Sequence, residues 1–159
     1  MTISVSVRAG LVGVGYQGRD IGGFVTDLLS MGVTRLVDVR LNPISRKPGF
    51  SKTALGQALG DAGIGYEHRR ELGNPRDNRA GFTGSPEARA QARAVYSGLL
   101  TRPEAVEVLD TLADASRQEL VALLCFEADQ RQCHRELVLQ AARARRPCRW
   151  PPHPGSWQR

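Results

Sequence analysis

The order of segments in this 159-residue chain predicts an α/β fold: a mostly parallel sheet with helices on both faces, in three layers, whose ligand site lies at the carboxyl ends of the strands. Three observations predict it. Short strand-like runs alternate with segments of helical period along most of the chain. Val-Ala-Leu-Leu at 121–124 is a continuous apolar run, as expected of a strand covered on both faces. Capping residues and glycines fall where the period changes, at Asp20, Gly32, Ser51 and Gly63.

Residues 11–16 alternate apolar side chains with glycine and read as the first strand, with 3–7 as a candidate neighbour. Asp20 caps a helix through Met31, with Ile21, Phe24, Val25, Leu28 and Leu29 on one face and Gly32 as its stop. Residues 35–40 are the second strand. A loop with two prolines covers 41–50, after which Ser51 caps a helix to about Ala62, ended by Gly63. The third strand is 64–68. Glycine, asparagine and charge mark 73–83 as a mobile surface loop. Helices follow at 85–100 and 103–116, the second with Pro103 near its first turn. The fourth strand is 120–126, the last helix runs over 132–145, and 148–150 can add a short strand. One domain, 1–150, is expected, with 151–159 as a loosely held tail.

The net charge is +6 and unevenly placed. Residues 40–79 hold eight basic residues against four acids, and 140–159 hold five arginines and no acid. Such a balance suits nucleic acid, nucleotides or other polyanions, although solubility alone also accounts for it. No stretch approaches the length of a membrane span and no secretory signal is visible, so a cytoplasmic protein without a membrane partner is expected. Cys125, Cys133 and Cys148 are odd in number and unlike a disulfide scaffold in spacing, which makes reduced thiols the default.

Chemistry concentrates in 121–137, where two cysteines, three carboxylates, a histidine and two arginines sit as a buried strand gives way to a helix. Cys133 and His134 are expected in the first turn of that helix, whose free N–H groups favour a thiolate or a bound anion. Cys133 is thus the expected reactive thiol, and Cys125 the buried one. The candidate catalytic residues are Glu127, Cys133, His134 and Asp38. The candidate substrate-binding residues are Tyr16, Arg19, Arg40, Arg46, Lys52, His68 and Arg135, drawn from the other strand ends and the basic loop.

The landmarks Gly15-Tyr16 with Arg19, Val37-Asp38-Val39-Arg40, Pro43, Phe50-Ser51-Lys52, Gly63-Ile64 with Tyr66 and His68, Leu72-Gly73, and Cys125 with Glu127 before Cys133-His134-Arg135 occur in this order. In this the chain resembles bacterial proteins of the domain of unknown function family 488, over residues 11 to about 140. The resemblance implies family membership and names no reaction. Arg69-Arg70 departs from the apolar residue and proline that family members often carry there, and adds charge beside the expected site.

Each constellation has a plainer reading. Asp38 and Arg40 point to one side of their strand and can be a structural ion pair. Tyr16 and Tyr66 can stack on a base or simply pack. Gly13, Gly15 and Gly18 match a dinucleotide fingerprint only in spacing, so no cofactor is expected. Cys125 and Arg131 have the Cys-x5-Arg spacing of an anion cradle, but the acidic residues between them oppose it. Cys125, Cys133 and His134 can ligate zinc, with Glu127 or Asp129 nearby, yet Cys-x7-Cys-His lacks the compact spacing of structural sites, and no metal ligand is assigned. Two functions survive: an enzyme acting on a nucleic acid or nucleotide-like anion through the Cys/Glu/His/Arg cluster, or a noncatalytic nucleic-acid-associated or regulatory module. A rhodanese-like sulfur transferase is a further alternative. Polar groups converging on a deep pocket would favour the enzyme.

Overall fold

The computed structural model describes residues 8–145. The expected strand at 3–7, the strand at 148–150, the tail at 151–159, Cys148 and the last three arginines lie outside the described residues.

Four parallel strands form one sheet: β1 (Gly10–Gly15), β2 (Arg35–Asp38), β3 (Gly65–His68) and β4 (Leu120–Cys125). Their order is β1-β4-β2-β3. The last strand is therefore inserted between the first two, with Gly15 opposite Cys125 and Asp38 opposite Leu124. The helices are α1 (Ile21–Met31), α2 (Lys52–Asp61), α3 (Arg76–Arg79), α4 (Pro86–Leu99), α5 (Pro103–Ala115) and α6 (Arg135–Arg145). Three short 3-10 turns complete the path, at Arg70–Leu72, Ala80–Thr83 and Gln130–Gln132. The alternation of side chains along the strands divides the core in two. Leu36, Ala122 and Leu124 meet Phe24, Leu28, Phe50 and Leu55 on the face covered by α1 and α2. Val37, Val121, Leu123 and Cys125 meet Tyr96, Leu109, Val138 and Leu139 on the face covered by α4, α5 and α6. That is the three-layer α/β arrangement the sequence predicts. Each fully buried leucine contributes about 1.5–3 kcal/mol on transfer from water. No helix among the described residues is long and apolar enough to cross a membrane.

Three local expectations need correction. Ser51 precedes α2 without capping it; its hydroxyl accepts from Ser45 N–H at 3.0 Å and donates to Ser45 C=O at 3.1 Å, pinning the proline loop instead. Residues 73–83 are no open loop. Asn74 and Phe82 are buried, Asn78 donates to Ala92 C=O at 3.0 Å, and α3 with its 3-10 turn packs on α4. Apolar anchorage of Phe82 outweighs the local turn composition. The last helix begins at Arg135, so Cys133 and His134 precede its first turn.

The α1 boundary follows its local signals: Asp20 accepts from Gly23 N–H at 2.7 Å, and Gly32 closes the helix at φ 84°. Asp20→Ala is expected to cost about 1 kcal/mol, the usual value of an exposed cap, measured by urea denaturation.

Candidate functional site

The carboxyl ends of β4, β1 and β2 open onto a cavity of about 120 Å³. Its lining includes Cys125, Glu127, Cys133 and His134 from the end of β4 and the segment before α6, and Arg40 from the end of β2. Asn74, Arg79 and Phe82 close the far wall. The volume suits a small anion or part of a larger molecule. Pockets that enclose a drug-sized ligand run to roughly 300–1,000 Å³.

The floor of the cavity is a contact between two thiols and an imidazole. His134 Nδ1 lies 3.9 Å from Cys125 Sγ and 3.7 Å from Cys133 Sγ, while Nε2 donates to Val39 C=O at 2.9 Å. Tyr96 meets the imidazole edge to face at 5.0 Å. Cys125 donates to the Glu127 carboxylate at 3.1 Å. Its interaction with Cys133 and its burial push the Cys125 thiol well above the ordinary cysteine range. The expected division into one accessible and one buried thiol does not hold. Cys133 is 2% exposed and Cys125 6%, because Cys133 turns into the core and accepts from the Arg135 N–H at 3.4 Å.

The loop that carries Glu127 is clamped from below. Arg135, 1% exposed, donates to Glu127 C=O at 2.6 Å and to Ala128 C=O at 3.3 Å. Gln17 N–H donates to Phe126 C=O at 2.9 Å, and the Gln17 side chain accepts from Ala128 N–H at 3.0 Å. Arg135 thus holds backbone and does not line the cavity as a substrate ligand. The same approach explains the glycine spacing. A Cβ on Gly13 would sit 2.0 Å from Gln130 Oε1, and one on Gly15 would sit 2.0 Å from Glu127 C=O. These glycines make room for the protein's own loop, as against a dinucleotide. Four loop amides, those of Ala128, Arg131, Gln132 and Cys133, are already bonded, and Arg131 turns outward to Asp129. The Ala128 and Arg131 amides are therefore not free to join a Cys-x5-Arg cradle around Cys125.

Asp38 and Arg40 do share one side of the chain, as their spacing predicts, and form a buried network beside the cavity. Arg40 donates to Asp38 through Nε at 2.8 Å and Nη2 at 2.7 Å, and through Nη1 to Phe50 C=O at 2.8 Å and Tyr16 Oη at 3.1 Å. Tyr66 donates to Asp38 at 2.7 Å. Burial opposes the Arg40 charge, but the hydrogen bonds and charge of Asp38 outweigh it and raise the guanidinium pKa. Burial, then Asp38, raises that of Tyr66. Asp38 is fully buried, has both oxygens occupied and stays outside the cavity lining, so its observed part is structural.

Of the other expected ligands, Tyr16 lines the cavity with Arg40, and the rest lie elsewhere. Tyr16 is nevertheless buried, with its ring stacked on Phe50 at 4.5 Å and the Arg40 guanidinium 5.2 Å from its centroid, so it offers no open face to a base. Arg19 pairs with Asp27 on the α1 side. His68 Nε2 meets Arg40 C=O at 2.8 Å. Arg46 and Lys52 are exposed on the proline loop and the start of α2, outside the lining. In their place the fold supplies residues that sequence reasoning missed: Asn42, Asn74, Arg79, Gln132, and the exposed Phe126 and Ile44 at the mouth. Arg79 spends Nε on Asn74 C=O at 3.0 Å. The one available signal was Phe82, an apolar residue within an otherwise polar stretch, which ties 74–83 to the core.

A family model described as "Domain of unknown function DUF488" matches residues 20–142. No curated protein and no solved structure matches the chain.

Proposed function

The chain belongs to the family described as domain of unknown function DUF488, and we propose from the geometry of its pocket that it is an enzyme acting on an anionic group of a nucleotide or nucleic acid. The observation that carries this reading is convergence. Cys125, Glu127, Cys133 and His134 meet Arg40 and Arg79 on one cavity at the strand ends, where open α/β sheets bind ligands. Glu127 is the acid or base. It is partly exposed, on a rigidly clamped backbone, and its carboxylate accepts a hydrogen bond from the Cys125 thiol. Arg79 presents its remaining nitrogens to the anion, with Asn42 and Gln132 as neutral partners. Phe126, 45% exposed at the mouth, offers the aromatic face that Tyr16 does not. The cavity takes only the reacting part of such a substrate, and the rest lies toward exposed Arg46 and Lys52.

Two measurements test this. Oligonucleotide binding should fall steeply with salt, and Arg46→Ala with Lys52→Ala should reduce it about as added salt does, without unfolding. Glu127→Gln should abolish turnover of the nucleotide or oligonucleotide found by screening, and leave the melting temperature equal or higher, since functional sites hold groups that the fold would rather neutralise. A melting temperature lowered by many degrees would make Glu127 a structural residue. Binding retained without turnover in the parent protein would favour the noncatalytic module.

A further inference from the structure

We propose that Cys125, Cys133 and His134 form the binding site for one divalent transition-metal ion, zinc in the first instance. The inference goes beyond the enzyme reading above and holds whether or not Glu127 performs catalysis. Three ligand atoms from two places in the chain, the sulfurs of Cys125 and Cys133 and Nδ1 of His134, lie within 4.8 Å of one another. All three residues are buried. In tetrahedral zinc coordination, with metal–sulfur bonds of about 2.3 Å and metal–nitrogen bonds of about 2.0–2.1 Å, a sulfur and a nitrogen ligand stand about 3.6 Å apart. The observed separations of 3.7 and 3.9 Å match that spacing to a few tenths of an ångström.

The imidazole is set up for ligation. Its Nε2 donates to Val39 C=O, which fixes the proton on that nitrogen and turns the Nδ1 lone pair toward the two sulfurs. Tyr96 holds the ring plane from the side. As hydrogen bonds, the Nδ1 contacts are long, so an ion between the three atoms satisfies them better than the thiol protons do. Sulfur and imidazole together select zinc, iron or cobalt over magnesium or calcium. Ion binding replaces the two S–H protons by two metal–sulfur bonds and releases both protons to solvent. Glu127 then loses its thiol donor and stands free beside an ion that has three protein ligands and a cavity on its open side. The sequence spacing argued against a compact site. The folded chain answers it, because β4 delivers Cys125 to the rim from below while the segment before α6 brings Cys133 and His134 across it.

Cobalt titration of the full-length, chelator-treated, reduced protein tests the proposal. One equivalent of Co²⁺ should give sulfur-to-cobalt charge-transfer absorption in the near ultraviolet with visible bands of tetrahedral intensity, and one equivalent of Zn²⁺ should abolish both. Cys125→Ser and Cys133→Ser, near-isosteric changes whose folding is checked by circular dichroism, should weaken zinc by more than about 100-fold, exceeding the usual loss of an outer-shell partner. Cys148→Ser should leave both spectrum and affinity unchanged. The proposal is overturned if the folded parent gives no thiolate–cobalt spectrum, if the spectrum persists in folded Cys133→Ser, or if it depends on Cys148. A Cys125–Cys133 disulfide that forms in place of metal uptake overturns it too. Because the readout is optical, inactive but metal-loaded protein counts against the enzyme reading alone, and active protein without the spectrum counts against this one alone.

Discussion

Asp38→Asn is expected to destabilise the protein by about 3–5 kcal/mol, the usual cost of removing one partner from a buried ion pair. The substitution keeps the shape of the side chain, so the loss comes from charge. Arg40 would remain in place, 7% exposed, with its Nε and Nη2 donors facing a neutral amide, one of whose two groups is itself a donor. Tyr66 would face the same mismatch across its 2.7 Å bond. Urea denaturation measures the change. Replacing both charges at once, with Asp38→Leu and Arg40→Met, should recover a good part of it, since a buried pair costs its own desolvation. A loss below about 1 kcal/mol for Asp38→Asn would mean that water reaches Arg40 and that the pair is held far less tightly than its geometry indicates.

Gly15→Ala should be the more disruptive of two outwardly similar changes in β1. The added Cβ would meet Glu127 C=O at 2.0 Å and the carbonyl carbon at 2.7 Å, both backbone atoms of a segment fixed by Arg135 and Gln17. Nothing there can rotate away. At Gly13 the nearest atom is the end of the Gln130 side chain, which can choose another rotamer. Overpacking of a fixed site costs about 1–3 kcal/mol. Gly15→Ala should fall at the upper end of that range and displace Glu127, while Gly13→Ala should cost less and leave the loop in place. Parallel denaturation curves check the ranking, and equal losses would show that the Glu127 loop yields as easily as a side chain.

The fold was legible where the signal is local. Asp20, Gly32 and Pro103 stand at helix ends, and the run at 121–124 is a strand buried on both faces, because caps and periodicity depend on near neighbours. The pairing of Asp38 with Arg40 followed from the alternation of a strand. What the sequence did not reveal depends on distant partners. Nothing near Tyr16 indicates that Phe50 will cover it, and nothing near Arg135 indicates that its charge will be spent on the carbonyls of a loop. Arg79 and Asn74 were hidden for the opposite reason: their composition suggests exposure, while Phe82 pulls their segment onto the core. The cluster at the end of β4 was visible as a concentration of reactive residue types. The approach of its imidazole to both sulfurs was not, since it depends on how the chain turns between Cys125 and Cys133.

The strand order bears on how this chain acquires its structure. Since β4 lies between β1 and β2, Leu11 pairs with Val121 and Leu36 with Ala122, and no direct β1·β2 ladder exists for the first strands to form in advance. The sheet must wait until Leu120–Cys125 has been made. Until then β1 and the β2·β3 pair present unpaired edges and uncovered apolar faces, the features that invite misassociation. Loop closures of this span also slow folding, because their entropy is lost before the pairing energy is gained. The protein should therefore fold late and all together after synthesis, and Cys125, at the end of the strand that completes the sheet, enters its site in that final step.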